Sequence, residues 1–66
     1  MTTIKNLNHA VVQAYDAKLL SELDYRRFRE EMRRAFGVDA FSDAMVETAV
    51  PDAIAQTWLS TIQSRT

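Results

Sequence analysis

The stretch Ser21–Gly37, SELDYRRFREEMRRAFG, decides the fold of this chain. Its large apolar side chains recur at spacings of three and four residues, which places them on one face of a helix. The members of this face are Tyr25, Phe28, Met32, Ala35 and Phe36. The pattern therefore predicts a helix over residues 22–36.

Both ends of this helix carry recognisable signals. Ser21 followed by Asp24 has the form of a capping box, with Asp in place of the preferred Glu or Gln. Gly37 stands where a left-handed C-terminal cap is expected, since glycine adopts positive φ without steric cost.

The segment that precedes Ser21 shows the same helical periodicity. Its apolar residues predict a helix over about 4–20, with Thr2 or Thr3 as the N-cap. The stripe consists of Ile4, Leu7, Val11, Tyr15 and Leu19. We expect a tight turn at residues 20–22 and hence an antiparallel helical hairpin, although no residue there forbids one longer helix.

The signals after Gly37 are shorter. Asp39 or Ser42 can cap a helix over residues 40–49, and Pro51 ends that helix or opens a last one over residues 51–63. The sequence predicts a single all-α domain over residues 1–66, a hairpin followed by one or two short helices.

Composition supports this class and raises a question of stability. The chain has 66 residues, 47% of them hydrophobic. It has one Gly and one Pro, which are too few for the tight turns of β-hairpins, and no Cys for disulfides. A domain this small has a modest core, so we expect a homodimer or higher oligomer built on the first two helices. The predicted interface residues are Leu7, Val11, Tyr15, Phe28 and Met32. The absence of Cys and of any long apolar run predicts a cytoplasmic protein without a membrane segment.

The side chains that catalysis requires do not come together in this sequence. His9 is the only histidine, and its helical neighbours Gln13 and Asp16 complete no catalytic pair. No glycine-rich loop and no metal-ligand spacing is present. We therefore expect no enzyme activity, no cofactor and no metal.

Five arginines in the helix over residues 22–36 are the most distinctive feature. An α-helix turns by about 100° per residue, and this rotation places all five arginines away from the aromatic face. They predict a surface for an acidic or phosphate-bearing partner, chiefly through Arg26, Arg29 and Arg33. The alternative is a solvated face, because four acids in the same helix can pair with them. Trp58 either anchors an interface or closes the core.

The segment Met32–Asp39, MRRAFGVD, resembles the first helix and turn of a DNA-binding helix-turn-helix, in which glycine follows a bulky apolar residue. The resemblance implies a recognition helix after Gly37. That helix would carry an acidic row of Asp39, Asp43 and Glu47 and would have Asp43 where the motif wants an apolar residue. Repulsion from phosphate predicts only weak, non-specific binding to nucleic acid.

The sequence thus favours a non-catalytic module that binds another protein. We expect a small cytoplasmic modulator or inhibitor, a class common among phage- and plasmid-encoded proteins that act on host factors such as transcriptional regulators. Two alternatives are a dimeric helix-turn-helix DNA-binding regulator and a structural subunit of a larger assembly.

Overall fold

The computed structural model describes all 66 residues and contains three α-helices and no strand. The helices are α1 (Ile4–Asp16), α2 (Glu22–Phe36) and α3 (Asp52–Ser64). The all-α class is confirmed. None of the helices is both long enough and apolar enough to cross a membrane.

Helix α2 has the predicted bounds, and its predicted capping box is present, whereas Gly37 does not adopt the predicted left-handed cap. The Ser21 hydroxyl accepts a hydrogen bond from the Asp24 backbone N–H at 3.2 Å, and the Asp24 carboxylate accepts one from the Ser21 N–H at 3.2 Å. Gly37 follows the helix with φ 98° and ψ 176°. Its φ is positive as predicted, but its ψ is extended, so the chain leaves α2 in a conformation nearly reserved for glycine.

Helix α1 ends at Asp16, four residues before the predicted end, because Lys18 adopts a left-handed conformation with φ 64°. The Leu19 N–H donates to the Ala14 carbonyl at 2.9 Å and the Lys18 N–H donates to the Tyr15 carbonyl at 3.0 Å. These two bonds form a Schellman ending without its usual glycine. The predicted turn between the first two helices is therefore present, and it begins earlier than expected.

The predicted helix over residues 40–49 is absent, and the prediction of it was wrong. The segment forms successive turns. The Ser42 backbone N–H donates to the Asp39 carbonyl and the Thr48 backbone N–H donates to the Met45 carbonyl, both at 2.9 Å. Such bonds span three residues and do not propagate an α-helix.

The end of this segment serves the N-terminus of α1 instead. The Lys5 N–H donates to the Val46 carbonyl at 2.9 Å and the Ile4 N–H donates to the Thr48 carbonyl at 3.0 Å. The N-cap is Thr3, whose hydroxyl accepts from the Asn6 N–H at 3.2 Å. The first N–H groups of a helix lack intrahelical partners, and here backbone carbonyls from residues 46–48 supply them.

The core lies between the helices and under the segment of turns. Phe28 on α2 is at its centre, with the Trp58 ring edge-on at a centroid distance of 5.4 Å and the Phe41 ring at 6.1 Å. Eleven apolar residues are buried, and no polar or charged residue is. They are Ile4, Leu7, Val11, Ala14, Leu20, Phe28, Met32, Ala40, Val50, Ala55 and Trp58.

The predicted dimer interface falls mostly inside this core. Leu7, Val11, Phe28 and Met32 are all 0% exposed within the single chain. Tyr15 alone reaches the surface, where it stacks on Tyr25 at 4.9 Å between ring centroids. The apolar stripes of α1 and α2 thus pack within one chain, so a dimer of this fold would use other residues.

Candidate partner-binding surface

The outer side of α2 is the most highly charged surface of the molecule. Because Phe28 and Met32 are fully buried, the opposite side of the helix faces solvent. Arg26 and Arg33 lie on that side and are exposed, and Arg29 lies at its edge and is half-buried. We call these three residues the Arg surface.

Intrahelical ion pairs occupy part of this helix, as the solvated alternative predicts. Arg26 pairs with Glu22 and Arg34 with Glu30, each at 2.9 Å. All four side chains are more than three-fifths exposed. Exposed pairs of this kind contribute about 0–1 kcal/mol, so a partner can compete for both guanidinium groups. Arg33 has no ion pair at all.

Arg29 has a structural role that the sequence did not reveal. Its guanidinium carbon lies 4.7 Å from the centre of the Phe41 ring and 5.7 Å from that of Tyr25. One of its N–H groups donates to the Tyr25 hydroxyl at 3.3 Å. Arg29 therefore holds residue 41 against α2, and only the exposed part of its side chain is open to a partner.

Trp58 is not on this surface. Its side chain is 8% exposed and packs against Phe28 in the core. Trp58 therefore closes the core and is not part of the candidate surface.

Two exposed apolar side chains flank the arginines and were not singled out from the sequence. Leu23 is 57% exposed near the start of α2, and Val38 is 85% exposed just past its end. The position of Leu23 off the aromatic face was a usable signal, whereas Val38 lies beyond the helix and offered none. Apolar side chains beside arginines are typical of protein interfaces, where Arg is enriched and the core of the patch is apolar.

The carboxyl of Asp24 has a lowered pKa, and the cause is structural. A hydrogen bond from Arg65 at 2.8 Å, with further hydrogen bonds from Ser21, lowers the pKa of the Asp24 carboxyl from 3.8 to about 2. Arg65 also donates to the Leu19 carbonyl at 3.2 Å. These contacts tie Arg65, which follows α3, to the turn before α2.

The helix-turn-helix expectation does not match the geometry. Residues 38–51 contain no helix, so no recognition helix follows Gly37. Asp39, Asp43 and Glu47 do not form the predicted row along one face of a helix. They lie in successive turns, and all three are exposed.

An open groove of about 310 Å³ is the chain's one pocket. Its lining is apolar except for Gln13, and comes from the end of α1, Leu19 and Ile62 of α3. It holds no titratable side chain. His9 is exposed on α1 and makes no side-chain hydrogen bond, and no cluster of His, Cys, Asp and Glu could hold a metal ion.

Comparison with known protein families, with curated proteins and with solved structures found no match for this chain.

Proposed function

We propose that this protein is a non-catalytic module that binds an acidic surface of another protein through the Arg surface. The observation that carries the proposal is that Arg26 and Arg33 stand exposed on a helix whose opposite side buries Phe28 and Met32 completely in the core of the same chain. The fold therefore holds these guanidinium groups on a rigid support and does not need them to form the core.

The chemistry of guanidinium favours this kind of partner. Arg forms paired, planar hydrogen bonds to carboxylates and keeps its charge at all physiological pH values. Leu23 and Val38 would supply apolar contact beside those charges. Charge complementarity would raise the association rate and make binding sensitive to salt.

Two further observations favour a self-contained binding module over the alternatives. A structural subunit would leave its apolar stripes to be covered by neighbours, whereas Leu7, Val11 and Met32 are covered within this chain. An enzyme would need a nucleophile beside a base or two carboxylates in a cleft, whereas the groove contains neither. We propose that the module acts in the cytoplasm as a modulator or inhibitor of its partner. A chain without Cys forms no disulfide and so needs no oxidising compartment.

The test is affinity capture from a bacterial lysate with three forms of the protein. The variant R26E/R33E reverses two charges of the Arg surface, and the control K5E/K18E makes the same change in net charge at exposed residues outside α2. We expect the wild type and the control to capture the same protein and R26E/R33E to lose it, with affinity for the purified partner falling about tenfold or more.

Two results would contradict the proposal. One is a captured protein that R26E/R33E retains with unchanged affinity. The other is capture of nucleic acid in place of protein, with the steep salt dependence of phosphate binding. Far-ultraviolet circular dichroism of each variant checks that helicity is unchanged.

A further inference from the structure

Basic and acidic side chains alternate on α2, whereas the segment that follows α2 carries acids alone. Residues 38–52, which we call the acidic segment, carry four acids and no Lys or Arg. The acids are Asp39, Asp43, Glu47 and Asp52. All four are exposed and none takes part in an ion pair. Arg33 on α2 is likewise exposed and unpaired.

The acidic segment meets the Arg surface at Phe41. Phe41, which stands between Asp39 and Asp43 in the sequence, packs on Phe28 and lies against the Arg29 guanidinium at 4.7 Å. The part of the acidic segment between Asp39 and Asp43 therefore lies next to Arg29, which is the edge residue of the Arg surface.

We propose that a second copy of this chain docks on the patch formed by the Arg surface and the acidic segment, and that a two-fold axis relates the two copies. A two-fold axis places the same patch of one copy against that of the other. When the patch has a positive half beside a negative half, this rotation can set each positive half on the partner's negative half. The Arg surface of each copy then contacts the acidic segment of the other. No core residue has to leave its place for this contact.

This dimer differs from the one that the sequence predicts. Its interface is charged and exposed in the single chain, whereas Leu7, Val11, Phe28 and Met32 stay buried in each copy. It should therefore weaken as salt rises, because the Debye length shortens from about 30 Å at 0.01 M to about 8 Å at 0.15 M.

The experiment is sedimentation velocity of the purified chain at low salt, over micromolar concentrations. The variants R26E/R33E and D39K/D43K each set like charges against one another at both halves of the interface. We expect each variant alone to weaken self-association by about tenfold or more. The control K18E, at an exposed residue in the turn after α1, should associate as the wild type does.

An equimolar mixture of the two variants gives the sharpest result. In a mixed dimer, Glu at positions 26 and 33 meets Lys at positions 39 and 43, while native Asp meets native Arg at the other half. We expect the mixture to recover the dimer that each variant has lost, and a chain with all four changes to recover it as well.

Three results would overturn the proposal: a wild type that stays monomeric, a dimer that both variants retain, or a mixture that stays monomeric. Circular dichroism confirms folding. If a variant loses helicity, R26Q/R33Q and D39N/D43N take its place, and each should weaken the dimer. The measurement uses the purified chain alone, so its failure leaves the proposed function unaffected.

Discussion

At the residue scale, Asp24 shows how one side chain joins local and long-range structure. Its carboxylate completes the capping box of α2 and also accepts from Arg65, 41 positions further along the chain. The cap was predictable because its two residues are three apart. The contact with Arg65 was not, because nothing in the local sequence indicates which distant residue the folded chain brings to the turn.

This arrangement makes stability depend on pH. The pKa of the Asp24 carboxyl falls from 3.8 to about 2 in the folded chain, so the folded state binds a proton less readily than the unfolded state. The resulting stabilisation is present above the unfolded value of 3.8 and is lost as pH falls towards about 2.

We expect Asp24→Asn to lower the free energy of unfolding at neutral pH by about 1 kcal/mol, as for loss of a helix cap with an exposed ion pair. The loss of stability between pH 4 and pH 2 should become smaller in this variant. Urea unfolding followed by circular dichroism across that range measures both effects. Asp16→Asn is the control, since Asp16 is exposed and makes no side-chain hydrogen bond. Equal pH profiles for D24N and the wild type would contradict the assignment.

Gly37 and Lys18 both have positive φ, and we expect substitutions at the two positions to change stability in opposite directions. Gly37 has φ 98° and ψ 176°, and a Cβ there meets no atom within 4 Å, so Gly37→Ala is costly through backbone strain alone. We expect it to lower the free energy of unfolding by about 1–3 kcal/mol. Lys18 has φ 64°, a left-handed conformation that the Cβ of Lys strains and that Gly adopts without this strain. Lys18→Gly should raise that free energy by less than about 1 kcal/mol. Urea midpoints of both variants decide this, and a neutral Gly37→Ala would contradict it.

At the element scale, the sequence was informative where a helix carries its own signals. Helix α2 has an apolar face, a capping box and a terminal glycine, and its predicted bounds are confirmed. Helix α1 has the apolar face but lacks a glycine at its end, and the left-handed Lys18 that stops it has no strong local signature. Short polar residues or glycine usually take that conformation.

The segment between α2 and α3 failed as a prediction for a different reason. Phe41, Met45 and Ala49 have helical spacing, but only Phe41 and Met45 pack against the core, while Ala49 is exposed. The carbonyls of Val46 and Thr48 are needed by the first N–H groups of α1. This long-range demand, together with β-branched residues that disfavour helix, outweighs a weak local preference.

Hydrogen exchange can test this docking within one molecule. The first N–H groups of a helix usually exchange quickly because they lack partners. Here the Ile4 and Lys5 N–H groups bond to residues 48 and 46, whereas Asp52 and Ala53 at the start of α3 have no such bonds. We expect slow exchange at Ile4 and Lys5 and fast exchange at Asp52 and Ala53. Equally fast exchange at all four sites would show that residues 46–48 do not cap α1.

At the scale of the whole molecule, one arrangement accounts for both the core and the candidate surface. The apolar faces of the helices close on one another around Phe28, and α2 consequently turns its arginines outwards. The sequence predicted that the arginines avoid the aromatic face. It could not show that the same chain would cover that face, because the choice between packing within a chain and packing between chains depends on the turns.

The core of this protein is complete within one chain, which leaves the outer side of α2 free for binding. The most direct test is sedimentation equilibrium in about 1 M salt, where charge contacts are screened, combined with urea unfolding at several protein concentrations. We expect a folded, helical monomer whose unfolding midpoint does not change with concentration. A dimer mass that persists in high salt, with a midpoint that rises with concentration, would show that the fold depends on apolar contacts between chains and that one chain does not complete the core.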